Sequence, residues 1–439
     1  MPIATTPDAS TPDAVYRKVA LRIIPFLIVC YVIAFVDRAN IGFAKLQFDT
    51  DLGFSEAVYG LGGGLFYLGY SVFEVPSNFM LARIGVRKTL LRIMVLWSIA
   101  ATMLAFISQP SHFYILRFLL GAAEAGFFPG VLFYLTIWIP AARRARFTML
   151  FMSAIILAGI IGGPVSGFVM QDMNGVYGLR GWQWLFIIEG VPAALFGILA
   201  YFYLDNSPAD AKWLDARQKA FLLDELQKEE QFKHGKSHTT FGAALLDVKF
   251  YALVGMSVAL IAGIAGLFLW MPTIIRQMGI TNVWHIGLVS CVPFSFALAA
   301  QFLVARHSDR VQERRWHAGA PALLGALGWL LLPVFGGNPW IALLLLTITA
   351  VGTFGATAPF WTMPSLYLSG TAAAGGIALI TTAGGLGAFF SPTLVGFITA
   401  QTGSLAFGQI YYGLLMLFGA MLLLLGTRNT SNVADRAVT

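Results

Sequence analysis

The chain carries little charge: Asp, Glu, Lys and Arg make up 11% of its 439 residues, less than half of what a soluble globular protein uses. Cysteine is nearly absent. Cys30 and Cys291 are the two, each inside an apolar run, which leaves no basis for a disulfide framework or a zinc site. The six histidines, His112, His234, His238, His285, His307 and His317, fall at loops or at the ends of apolar segments, and no two form a metal-ligand pair within one segment. Gly62-Gly63-Gly64 lacks the lysine that completes a phosphate loop. With no nucleophile–base pair either, the sequence offers no enzyme chemistry. The segment 1–16 is polar, and the first apolar run is too long for a cleavable signal sequence.

Apolar residues are plentiful instead, at 58%, with 46 glycines and a mean hydropathy of +0.75. Surface this apolar requires lipid as solvent, and helices that approach closely in lipid favour glycine. A hydrocarbon core about 30 Å thick takes about 20 apolar residues per helix. On that scale the chain divides into twelve spans, near 20–44, 55–80, 89–109, 112–139, 147–171 and 183–204, then 250–276, 283–305, 317–336, 339–366, 373–400 and 405–427. The expected organisation is a disordered tail (1–16), a six-helix bundle (17–204), a polar linker (205–248), a second six-helix bundle (249–428) and a short tail (429–439). Within the linker, Ala209–Gln231 reads as a solvated amphipathic helix.

The net charge of +7 is distributed as short basic clusters between apolar segments, a topology signal rather than a nucleic-acid footprint. With both termini placed in the cytoplasm, Lys45, Arg180 and Arg276 are the outward cations, Arg38 and Arg117 lie inside helices, and the rest face inward. The two halves look like weak repeats. Asn78–Lys88 follows the second span and Ala305–Arg315 the eighth, both as short basic turns, the kind of duplication from which many transporters are built.

Six ionisable residues fall inside the expected spans: Asp37, Arg38, Glu74, Arg117, Glu124 and Glu189. Intramembrane charge is costly unless paired or wetted, so each is a candidate for function. Asp37 and Arg38 lie about 10 Å below the outer end of the first helix at 1.5 Å per residue, and Arg117 and Glu124 are two turns apart on one face of the fourth. Arginine suits carboxylate recognition because its planar fork pairs in bidentate fashion. Arg38 is therefore the first candidate for binding a carboxylate, with Arg117 sharing that role or holding Glu124. Asp37 and Glu124 are the candidate proton-coupling acids, and Glu74, near the inner end of helix 2, is a candidate gate. Glu189 reads as structural. In the second half, where no clear intramembrane charge occurs, Trp270, Trp361, Thr362, Thr381 and Thr382 are candidate uncharged contacts; Tyr67 and Tyr70 are the sharper aromatic candidates on helix 2. Trp270 and Trp361 precede Pro272 and Pro364, where their helices are expected to bend. Gly159, Gly162, Gly163, Pro164 and Gly167 form a face suited to close helix contact.

The basic turns resemble the G-x-x-x-D-R-x-G-R-R loop of the major facilitator superfamily. Ala82 stands at the Asp position of the first copy, and the second keeps Asp309-Arg310 but has Gln312 for Gly. A closer likeness is to the anion:cation symporter family within it. It is carried in order by Asp37–Ala44, Glu74–Asn78, Arg117–Ala125, Gly181–Gly190, Ser308–Arg310, Glu313–His317 and Phe360–Pro364. The resemblance implies an all-α fold of twelve transmembrane helices in two pseudo-symmetric six-helix bundles. It also implies proton-driven uptake of a small organic acid (tartrate, phthalate, galactonate or hydroxyphenylacetate) across a bacterial inner membrane. Arg83, Asp309 and Arg310 would act in the conformational loops. Thr381 and Gly385 stand where relatives carry Asn, which tilts the expectation from sugar acids toward a less hydroxylated or aromatic carboxylate. No cofactor beyond the proton, no nucleic acid and a monomeric state are expected; an anion exchanger or facilitator without proton coupling is the alternative.

Overall fold

The computed structural model describes residues 11–234, 245–367 and 370–427, and among these every regular element is helical. The expectations for residues 1–10 and 429–439 lie outside the described residues. The N-terminal half comprises α1 (Pro12–Asp51), α2 (Glu56–Ile84), α3 (Val86–Met103), α4 (Pro110–Glu124), α5 (Phe127–Trp138), α6 (Ala141–Met152), α7 (Ala154–Asp172) and α8 (Gly181–Tyr203). The linker helix α9 (Ala216–His234) follows. The C-terminal half comprises α10 (Val248–Gln277), α11 (Val283–Val311), α12 (Arg315–Phe335), α13 (Pro339–Tyr367), α14 (Gly370–Thr402) and α15 (Ala406–Gly426).

Eleven segments among the described residues are long and apolar enough to cross a membrane by length and composition. The remaining long helix, α2, is diluted by Gly60, Gly62, Gly63, Gly64 and Gly69, by Tyr59, Tyr67 and Tyr70, and by Glu56 and Glu74. It packs between α4 and α14 like its neighbours and completes the set of twelve.

Three boundaries differ from the sequence reading. Residues 12–16, expected in the disordered tail, are the first turns of α1. Thr11 caps them by accepting from the Ala14 N–H, and Pro12 sits where a helix needs no N–H. The linker helix begins at Ala216 rather than Ala209, because Asp215 and Gln218 form a reciprocal cap. The Gln218 N–H donates to Asp215 Oδ1 at 2.8 Å and the Asp215 N–H to Gln218 Oε1 at 3.3 Å. The span expected over 112–139 is broken: α4 stops at Glu124, Ala125 turns extended, and Gly126 takes φ +87° before α5 starts. A side chain at Gly126 would also meet Ser77 Oγ at 2.3 Å. The helices carrying Trp270 and Trp361 continue through Pro272 and Pro364 without interruption.

Within the halves, α3 packs on α4 and α8, α12 on α13 and α15, and α10 on α15. Between the halves, α2 lies along α14, α7 along α11 and α1 against α10, the pairing expected of two repeats related by an axis along the membrane normal. Small residues make the close approaches. A Cβ on Gly60 would fall 2.7 Å from Gly396 Cα, and one on Gly163 would fall 2.8 Å from Gly287 O, which fulfils the expectation for the helix carrying Gly163.

The two ends of the molecule differ. At the end bearing the α1–α2 and α10–α11 turns the halves are joined. The Tyr59 hydroxyl donates to Leu269 O at 2.7 Å and Arg276 Nη1 to Leu46 O at 2.8 Å. Lys45 Nζ reaches Glu56 Oε1 at 2.7 Å and Thr273 Oγ1 at 3.3 Å, and lies 5.2 Å from the ring centres of both Tyr59 and Trp270. At the opposite end, which bears the basic turns, the halves part around a cavity of about 1180 Å³.

Candidate functional site

The large cavity is a vestibule. Arg143 and Arg144 of α6, Arg306 of α11 and Arg314 line it, with Asp309 as the acid among them. Asp309 is held by Arg314 at 2.6 Å and Arg143 by Asp13 at 2.7 Å. Such a wall of one predominant sign concentrates anions. Deeper in, between the halves, lies a chamber of about 150 Å³ that shares Met152, Gln301 and Trp361 with the vestibule.

Arg38 is the chamber's cation. Its Nε donates to Glu124 Oε2 at 2.7 Å, with Nη2 at 2.6 Å from the same oxygen. The guanidinium carbon lies 4.5 Å from the Phe35 ring centre, 5.1 Å from Phe66 and 5.2 Å from Tyr70. Glu124 is fully buried. Glu124 is the last residue of α4, at the negative end of the helix dipole, where a buried carboxylate is disfavoured without a cation. Arg38 supplies it from α1, and Glu124 Oε1 is left without a protein partner.

Adjacent residues on a helix point about 100° apart, and Asp37 accordingly faces the other way from Arg38. It is buried inside the N-terminal bundle, where Trp97 Nε1 donates to Oδ2 and Asn40 Nδ2 donates to Oδ1 at 3.2 Å. Arg117 is likewise buried away from the chamber. Its Nε donates to Gly62 O at 3.2 Å and its guanidinium lies 5.0 Å from the Phe66 ring centre. The guanidinium against Glu124 is thus that of Arg38, not of Arg117, which shares a helix face with it. Glu189 accepts from Ser166 Oγ at 2.8 Å between α7 and α8.

The sequence candidates separate accordingly. Arg38, Tyr67, Tyr70, Glu74, Trp361 and Thr381 line the chamber; Thr362 lines the vestibule; Arg117, Trp270 and Thr382 line neither. Trp270 belongs to the joined end, edge-on to Tyr59 with ring centres 5.2 Å apart. Glu74, the gate candidate near the inner end of helix 2, also lines the chamber. Arg83 and Arg310 are exposed at the basic end. The sequence reading did not single out Gln301, Tyr31 or Thr357. Gln301 carried a signal: it is the lone amide in the apolar run Phe296–Val304, buried and facing both cavities.

Two helical bundles around a central chamber with an ion-paired arginine in its wall, open at one end and joined at the other, define a membrane transporter of the secondary type rather than an enzyme. The profile of the Major Facilitator Superfamily matches residues 27–392, and the chain belongs to that superfamily. It is 43% identical over 421 residues to a putative tartrate transporter of Agrobacterium vitis, covering 96% of this chain and 93% of the relative. It is 42% identical over 389 residues to the putative metabolite transport protein NicT of Pseudomonas putida, covering 89% of each. In fold it matches the inward open conformation of the xylose transporter XylE from Escherichia coli, with a TM-score of 0.73 at 19% identity over 92% of this chain and 95% of that one.

Proposed function

We propose that the protein is a proton-coupled symporter that takes up a small organic carboxylate by alternating access across a bacterial inner membrane. The observation that carries this reading is the Arg38 guanidinium in the chamber wall, paired with the buried Glu124 behind it. Both termini lie in the cytoplasm, as the basic turns require, so the vestibule opens inward and the joined end faces out.

The chemistry follows from charge balance. At rest the guanidinium and the Glu124 carboxylate neutralise each other in an apolar setting. An incoming carboxylate competes for the guanidinium, which its fork pairs in bidentate fashion. Glu124, deprived of its cation and buried, is neutralised by a proton instead. Anion and proton then occupy the chamber together without net charge, and the halves rock around them. Asp37, held by Trp97 and Asn40, lies one residue from Arg38 and is the second acid of the coupling machinery. Glu74, Arg83, Asp309 and Arg310 bias the conformational equilibrium from the inner side. The relative named for tartrate transport supports an organic-acid substrate.

The test is Glu124→Gln in proteoliposomes. Substrate exchange across the membrane should persist, while accumulation driven by an inward proton gradient should vanish. Gradient-driven accumulation at the wild-type level would remove Glu124 from the coupling.

A further inference from the structure

The chamber wall holds a carboxyl of its own, that of Glu74 on α2. It is half-buried and lies one helical turn beyond Tyr70, whose ring centre is 5.2 Å from the Arg38 guanidinium. Glu124 is paired with Arg38, and Asp37 accepts from Trp97 and Asn40. Glu74 has no such partner: among the described residues no cation and no hydrogen-bond donor engages its carboxyl.

The ionisable groups around it are few. α1 brings Arg38 and Tyr31 to the chamber, and α2 brings Tyr67 and Tyr70. On α4, Glu124 lies behind Arg38 and Arg117 is turned to Gly62 O. Arg92 of α3 donates to Ser77 Oγ at 2.6 Å, and Tyr134 of α5 to Asp205 O at 2.7 Å. α14, packed along α2, has no ionisable residue in its length, and the C-terminal half gives the chamber none. Beyond lies the vestibule, with Arg143, Arg144, Arg306, Arg314 and Asp309.

An empty chamber that opens on this basic wall favours an ionised Glu74. An occupied chamber does not. Arg38, Glu124 and Glu74 together carry one net negative charge. A monocarboxylate makes that two, and a proton on Glu124 brings it back only to one; a dicarboxylate adds a further charge. Like charges that share about 150 Å³ lie within about 7 Å of one another, where an effective dielectric constant near 20 makes their repulsion worth about fiftyfold in affinity. A proton on Glu74 removes that repulsion and turns the carboxyl into a donor to the anion.

We propose that Glu74 is a second proton-binding site facing the substrate, protonated while an organic anion occupies the chamber and ionised again when the anion leaves toward the cytoplasm. This rests on the carboxylate symport reading above and adds one proton to the load. The proton arrives from the outer solution while the chamber opens outward and departs into the vestibule. Glu124 alone pairs with Arg38 in the empty chamber, so its loss stops net uptake whatever Glu74 carries.

The experiment is equilibrium binding of tartrate to the purified protein in lipid nanodiscs from about pH 5 to 8, above the titration of its own carboxyls. Each proton that binds with the anion weakens affinity by up to about tenfold per unit rise in pH. Glu74→Gln is a neutral copy of the protonated carboxyl. It should match the wild type at the acid end and bind about fiftyfold tighter at the alkaline end. Glu74→Ala should do the same, and serves if the Gln variant does not fold. A dye in weakly buffered solution should count up to one proton fewer taken up per tartrate bound in either variant. A change in affinity by one factor at every pH, with the proton count unaltered, is the mark of a purely conformational role. That result, or weaker binding by the variants at the alkaline end, overturns the assignment while leaving carboxylate symport standing. Tighter binding of 4-aminobutyrate than of butyrate, lost in Glu74→Gln, also overturns it, since an ammonium group would then supply the charge. Binding of no acid, or binding indifferent to Arg38→Ala, overturns the carboxylate reading and this inference with it.

Discussion

Tyr59→Phe together with Arg276→Ala should loosen the joined end of the molecule. The Tyr59 hydroxyl is buried and its bond to Leu269 O crosses between the halves at 2.7 Å. Removing a neutral buried hydrogen bond costs about 1 kcal/mol. The Arg276 bond to Leu46 O also crosses between halves, at 2.8 Å. A bond to a charged group is worth about 1.5–3 kcal/mol when sheltered, but Arg276 is exposed, which reduces it to about 1 kcal/mol. The two residues share no partner, so their losses add, to about 2 kcal/mol, or about 30-fold in the ratio of outward-open to outward-closed molecules at 1.4 kcal/mol per tenfold. The assay is the alkylation rate of Leu269→Cys by an impermeant thiol reagent, in a background lacking Cys30 and Cys291. Leu269 is buried against Gly63 of α2, so the rate reads the fraction of outward-open molecules, which follows the ratio as long as that state is the minor one. A rise of about 30-fold is expected for the double variant and about fivefold for Tyr59→Phe alone. A rise below threefold in the double variant would refute the assignment of this end as the outer gate.

Arg38→Lys should not rescue transport. An ammonium keeps the charge but loses the planar fork, so binding of a carboxylate should fall at least tenfold, as measured by equilibrium binding; wild-type affinity would show that charge alone suffices. Gly121→Ala should destabilise the N-terminal bundle, because the added Cβ would lie 1.9 Å from Phe66 O on α2 and the helices must separate. The expected loss is about 1–3 kcal/mol, read as a lower midpoint of thermal unfolding in detergent, and an unchanged midpoint would contradict the α2–α4 packing.

Most of the architecture was legible in the chain because lipid imposes it. Lengths of apolar run, glycine at close approaches and the one-sided distribution of Lys and Arg all follow from the solvent, so twelve segments in two halves could be read directly. The site was legible only in part. Charge rarity pointed to Asp37, Arg38, Arg117 and Glu124, but rarity does not say which way a side chain faces. The break at Ala125–Gly126 sets Glu124 at a helix end, and its signal, Gly126 with Pro129 in the following first turn, was present in the sequence; that Arg117 turns to Gly62 O and leaves the carboxylate to Arg38 was not. Trp270 reads as a binding residue until Lys45 and Tyr59 are seen to pack on it. Gln301 escaped notice because an uncharged amide costs less in a membrane than a charge, and its partner, Thr357 Oγ1 at 3.2 Å from Nε2, lies on another helix.

The central claim is that anion and proton cross together. Its most direct measurement is the internal pH of proteoliposomes, reported by a trapped dye, when a transported organic acid, tartrate first, is added outside without any imposed gradient. The account predicts acidification of the lumen that requires both the acid and Arg38, and that disappears in Glu124→Gln. Uptake of the labelled acid with no change in internal pH would contradict it.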